Sequence, residues 1–125
     1  STRSTLNSGE YPMIHVTICQ NKKGEYLGFD AKGHAGYAEA GDDIVCAAAS
    51  ILMINTANAL ELYADAGLVV SGNEDEGQLR VILESEPTKE TELLFKTMVL
   101  GLTQMEDDEN YAGYIDLTFE EVQQP

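Results

Sequence analysis

Two residues in the stretch from Gly33 to Ser50, GHAGYAEAGDDIVCAAAS, have the side chains and the spacing for nucleophilic chemistry. His34 sits on a glycine-flanked turn, and Cys46 follows just inside the expected start of a helix. The thiolate is the reactive form of cysteine. A helix N-terminus favours it through unpaired N–H groups and the positive end of the dipole. An imidazole within reach can take the thiol proton and later return it. His34 and Cys46 are therefore a candidate catalytic dyad.

Magnitudes show why both members are needed. With Asp43 as N-cap, Cys46 is the third helical residue, where an anion gains up to about 1 kcal/mol. That corresponds to somewhat under one pKa unit, too little to ionise most of the thiol at neutral pH. An imidazolium must supply the rest, and His34 is the nearest in the chain. Asp42 and Asp43 oppose a nearby thiolate, although one of them could orient His34 by accepting its second ring proton. Asp43 is thus either a base-orienter or a helix cap, and the cap is the simpler role. On general grounds alone Cys46 reads better as a buried, inert thiol, because cysteine is among the most buried residue types and this helix is alanine-rich. Ala47, Ala48, Ala49 and Ser50 allow close packing but also leave room for a substrate backbone. Amides around Cys46 could hold an oxyanion.

Other chemistries fit less well. His15 and Cys19 stand four apart in an expected strand, about 13 Å end to end, too far to share one metal ion. No C-x-x-C pair and no phosphate-binding glycine motif is present, so no metal or cofactor is expected.

The elements that must position the dyad are legible in the periodicity. Ile14 to Gln20 alternates apolar and polar, Asn21 to Gly24 is a turn signal, and Tyr26 to Ala31 reads as the returning strand. Gly41-Asp42-Asp43 looks like a helix entrance, with the helix running from Ile44 to about Ala64 and stopping at Gly67. Its first half is apolar on nearly every face, which calls for burial against a sheet or a subunit contact. Leu68 to Val70 and Gln78 to Leu83 read as a second strand pair around a Ser71–Gly77 loop. A second helix is expected from Pro87-Thr88 to about Met105, with Leu93, Leu94, Met98 and Leu102 inward. Tyr114 to Phe119 closes the pattern as a strand. The order β-β-α-β-β-α-β implies a single α+β domain, two helices packed on a mostly antiparallel sheet.

At 125 residues one domain is expected, with residues 1–12 an expression remnant or disordered N-terminus and 13–125 the folded unit. The net charge of −15 repels nucleic acid and anionic membrane surfaces and would draw a basic partner. The longest uncharged run, Ile44 to Leu60, is interrupted by polar residues and falls short of the ~20 apolar residues of a membrane span. Two cysteines without a secretory signal suggest reduced thiols in a cytoplasm.

Gly33-His34-Ala35-Gly36-Tyr37-Ala38, then Gly41, Asp43 to Ala48 and Ser50, closely resembles the ribosomal-processing cysteine proteases of bacteria, the Prp family. The likeness extends over nearly the whole domain. It implies that His34 and Cys46 are the catalytic pair of a cysteine endopeptidase. The implied substrate is the N-terminal extension of a basic large-subunit ribosomal protein precursor. It further implies a homodimer, and a mobile active-site loop from Ala35 to Asp42 that includes Gly36, Tyr37 and Gly41. Ser50, one helical turn beyond Cys46, is the expected pocket contributor. Ala40 and Ala49 depart from the family pattern without removing a group the mechanism needs. The alternative from another class is a non-catalytic acidic module that binds a ribosomal or other basic partner.

Overall fold

Ile14, Val16 and Ile18 point to one side of the first strand, β1 (Ile14–Gln20), and are buried there. This computed structural model describes residues 13–33, 40–73 and 77–124, and of residues 40–43 the backbone alone. Asn21 closes the turn into β2 (Tyr26–Lys32), its side-chain oxygen accepting from the N–H groups of Lys23 and Glu25. Helix α1 (Ala40–Tyr63) follows, then β3 (Leu68–Asn73), β4 (Gln78–Leu83), helix α2 (Lys89–Asp107) and β5 (Ile115–Glu121). The five strands form one sheet in the order β3-β4-β2-β1-β5, antiparallel throughout except that β5 runs parallel to β1. The expected α+β plan is therefore present, with a mixed sheet.

One apolar core lies between the sheet and the helices. Phe29, Leu83 and Ile115 meet Val45, Ala49, Met53 and Leu60 of α1 and Phe95, Met98 and Leu102 of α2. A smaller cluster on the opposite sheet face holds Cys19, Leu27 and Ile82 beneath Val122.

Two boundaries and the rotation of one helix differ from the sequence expectation. Helix α1 starts at Ala40 rather than Ile44, so Asp43 lies within its first turn instead of at the cap. Strand β3 continues through Ser71 and Gly72 to Asn73. Gly72 is there because a Cβ would collide with the Gln78 carbonyl of the paired strand, not because the chain turns. Leu93 is 65% exposed rather than inward. The phase of α2 is set instead by Phe95, whose ring packs 6.3 Å from that of Tyr26, with Thr91, Met98, Val99 and Leu102 on the same side.

Helix α2 begins with a reciprocal cap. The Thr91 N–H donates to the Thr88 hydroxyl, and the Thr88 N–H donates to the Thr91 hydroxyl. Replacing Thr88 by alanine is expected to cost about 1 kcal/mol, read as a lowered midpoint in urea unfolding with unchanged slope.

Residues Ile44–Tyr63 are, by length and a mean hydropathy of 1.5, sufficient for a membrane span, which the interrupted run did not suggest. The inner side of this helix is nevertheless built into the core. Its outer side remains apolar and exposed, at Ile44, Ile51, Ile54 and Leu62.

Candidate active site

Strand pairing decides which loops share an end of the sheet. His15 lies beside Lys32 and Asp116, Leu79 beside Ala31, and Asn73 beside Gln78. The exit of β2, the turn between β3 and β4, and the entry to β5 are therefore gathered at one end. The exit of β2 is where the chain passes Gly33 on its way to His34.

Gly33 fixes that exit. Its φ is +93°, and a Cβ there would stand 2.5 Å from the Met13 carbonyl oxygen. Only glycine tolerates both conditions. Substituting alanine is expected to destabilise the protein by about 1–3 kcal/mol, measured as a lowered melting midpoint together with slower peptide cleavage.

Helix α1 presents the thiol at the same end. Its 24 residues extend about 36 Å, whereas a seven-residue strand covers about 23 Å. The C-terminal end of α1 is tied to the far end of the sheet through Gly67, whose carbonyl accepts from the Glu84 N–H. Its first turns consequently reach to or beyond the sheet end where β2 exits. Cys46 lies there, partly buried and packed against the main core next to the buried Val45 and Ala49. Ser50 is also half-buried. At about 100° per residue it falls on the same flank of the helix as Cys46, between the buried face and the exposed outer face. The pair forms a strip along which a peptide backbone could lie.

The earlier helix start changes the electrostatics. Cys46 is the seventh helical residue rather than the third, and the dipole contribution fades beyond the first turn. The helix end alone therefore does little to ionise this thiol. His34, Ala35, Gly36 and Tyr37 lie outside the described residues, as do the side chains of Asp42 and Asp43.

A further element at this end was not singled out from sequence. The 3-10 turn Ala112–Tyr114 packs against α1, and the Leu117 N–H donates to Glu106 to tie β5 to the end of α2. Its signal was the pair Tyr111 and Tyr114 around Gly113.

The second cysteine contrasts with the first. Cys19 has no exposed surface and is in no disulfide. Burial pushes its thiol above the usual value of 9.0, and the Arg80 guanidinium offsets part of that. The unfolded chain therefore loses this proton first as pH rises, so stability should fall above about pH 9, measurable as a declining melting midpoint. Cys19 should alkylate only on unfolding.

Comparison with known proteins decides the relationship. The profile of the cysteine protease Prp family matches residues 13–116. This chain belongs to that family. A Bacillus subtilis relative, the ribosomal processing cysteine protease Prp, is 30% identical over 100 residues, covering 77% of this chain and 89% of its own. Crystal structures of Staphylococcus aureus Prp superpose with TM-scores of 0.78 in complex with a substrate peptide and 0.74 with a covalently linked product peptide. They share 27% and 29% identity, and each comparison covers 86% of this chain and the whole of the other. A Streptococcus mutans protein of known structure matches at 34% identity and TM-score 0.75, over 88% of this chain and 96% of its own. The chain is thus a cysteine protease of the Prp family, with Cys46 and not Cys19 on the accessible flank.

Proposed function

We propose that this chain is the endopeptidase that removes the N-terminal extension from a basic large-subunit ribosomal protein precursor. The observation that carries the reading is the placing of Cys46, partly buried beside Ser50 on one flank of α1, within a chain of the Prp family. Support for the substrate class comes from the relatives, which are ribosomal processing proteases, one of them crystallised with a substrate peptide. The acidic surface, with net charge −15, suits a basic substrate and would speed its encounter.

In this reading His34 takes the proton from the Cys46 thiol, and the thiolate attacks the scissile carbonyl carbon. Backbone amides near the start of α1 hold the oxyanion. The C–N bond breaks as the imidazolium returns the proton to the departing amine, leaving a thioester on Cys46. Water, deprotonated by His34, then hydrolyses the thioester and restores the thiol. Asp43 orients the imidazole and Ser50 lines the substrate pocket. The expected active-site loop from Ala35 to Asp42 is cut short, because residues 40–42 belong to α1. The remainder, which lies outside the described residues, is the part that closes over the peptide. Residues 13–125 carry this activity without a cofactor. The protein works in the cytoplasm as a homodimer.

The test mixes the protein with the unprocessed ribosomal precursor and weighs the products by mass spectrometry. A single internal cut near the precursor N-terminus, absent with Cys46→Ser, is the expected result. Intact precursor in both reactions would overturn the proposal and leave an acidic binding module as the better description.

A further inference from the structure

Strand β3 is an edge that the fold leaves undefended. It pairs with β4 alone, in one unbroken register from Leu68 opposite Leu83 to Asn73 opposite Gln78. Free edges are ordinarily blunted by charge, proline or a bulge. Leu68–Asn73 reads LVVSGN and has none of these, in a chain whose net charge is −15.

The register shows which groups that edge presents. The Glu84 N–H donates to the Gly67 carbonyl directly opposite, so hydrogen-bonded pairs recur at Val69 with Ile82 and Ser71 with Arg80. The N–H and C=O groups of Leu68, Val70 and Gly72 therefore point away from β4. Val70 stands opposite the buried Val81, which sets its side chain on the helix-bearing face of the sheet. It is nevertheless 59% exposed. A strip of that face, along β3, is open.

Helix phase turns Cys46 toward the same strip. A Cβ on Gly101 of α2 would run into the Leu52 side chain, so Leu52 marks the flank of α1 that meets α2. At about 100° per residue, Leu52 is about 120° from Cys46 and about 160° from Ser50, across the buried Ala49 and Leu60. Helix α2 packs on β2 and β5, toward the opposite edge of the sheet. The flank that bears Cys46 and Ser50 thus faces away from α2 and toward β3, which runs to the sheet end where β2 exits.

The chemistry of the edge selects its occupant. Backbone groups presented by every second residue are satisfied by another extended backbone, and an uncharged strip suits an uncharged one. Continuity with the Cys46 flank makes that backbone the substrate's. We propose that an uncharged, extended stretch of the peptide substrate adds to the sheet beside β3, hydrogen-bonded to Leu68, Val70 and Gly72, with alternate side chains packed beside Val70. This rests on the protease reading of Cys46 and names how that site holds its substrate.

Two measurements test it. Short precursor peptides spanning the cut, each with one backbone N-methyl group, are titrated onto the Cys46→Ser protein by fluorescence anisotropy and then offered to the wild type. Binding should weaken about tenfold at every second position of one stretch and little at the positions between. In the second measurement, Val70→Pro removes one outward N–H without touching the ladder to β4. It should stay folded by circular dichroism and raise KM about tenfold, with kcat changed much less. Val70→Thr, which keeps the N–H, should recover most of the binding that proline removes. Should Val70→Pro fail to fold, the N-methyl series on the unaltered edge decides alone. Uniform tolerance of N-methylation, or full peptide binding by folded Val70→Pro, would overturn the proposal. So would a Val70→Pro protein altered only in oligomeric state, which would assign the edge to a second copy. Alternating loss of binding to peptides that the wild type never cuts counts instead against the protease reading, because anisotropy reports the pairing independently of cleavage.

Discussion

Cys46→Ser is expected to lower kcat/KM for precursor cleavage by about 10³-fold or more while leaving the fold intact. The two side chains differ by one atom, so packing against Val45 and Ala49 should persist and the melting midpoint should move little. What is lost is the nucleophile, since a serine hydroxyl remains protonated at neutral pH where a thiol can ionise. The measurement is a paired one: cleavage rate against precursor, and thermal unfolding of the same preparation. A variant that cleaves normally would place the chemistry elsewhere in the chain. A variant that fails to fold would be answered with Cys46→Ala, which removes the nucleophile and leaves only a small void.

His34→Ala should be the second largest effect, a fall of about 10²–10⁴-fold in kcat, with KM changed much less. The reason lies in the start of α1. With Cys46 at the seventh helical position, the helix end contributes little to its ionisation, so the imidazole must both stabilise the thiolate and protonate the departing amine. The pH profile separates these roles. In the wild-type enzyme, activity should rise with one limb set by the pair and fall when the imidazole loses its proton. In the variant the whole profile should move toward the alkaline side, following an ordinary thiol. A KM effect alone would mean that His34 binds peptide and does no proton transfer.

Much of this molecule is legible in its residues. The alternation of Ile14, Val16 and Ile18, the turn at Asn21 and the caps around Thr88 each have a local cause, and the element order follows from them. The misplacements arose where a tertiary contact overrode a local signal. Gly72 resembles a turn glycine and is a close-packing glycine facing the Gln78 carbonyl. Leu93 resembles a core leucine, yet Phe95 against Tyr26 decides the rotation of α2. The two aspartates before Ile44 resemble a cap and instead sit inside a helix that starts earlier. For the site, residue types and spacing propose a His34–Cys46 dyad and leave open whether Cys46 is reactive or buried. The relation of α1 to the sheet leaves Cys46 partly buried on a flank with Ser50, while Cys19 is sealed beneath Val122. The long apolar run was ambiguous for the same reason. Only the fold divides it into a buried inner face and an exposed outer one.

In the proposed mechanism His34 holds Cys46 as a reactive thiolate. The most direct test is the pH dependence of alkylation at each cysteine, followed by peptide mass spectrometry on the native wild-type protein and on His34→Ala. Cys46 should label readily near neutral pH, Cys19 should stay protected until the protein unfolds, and the Cys46 curve should shift to higher pH in the variant. Equal, slow labelling of both thiols, or a Cys46 curve that His34→Ala leaves unmoved, would contradict the account.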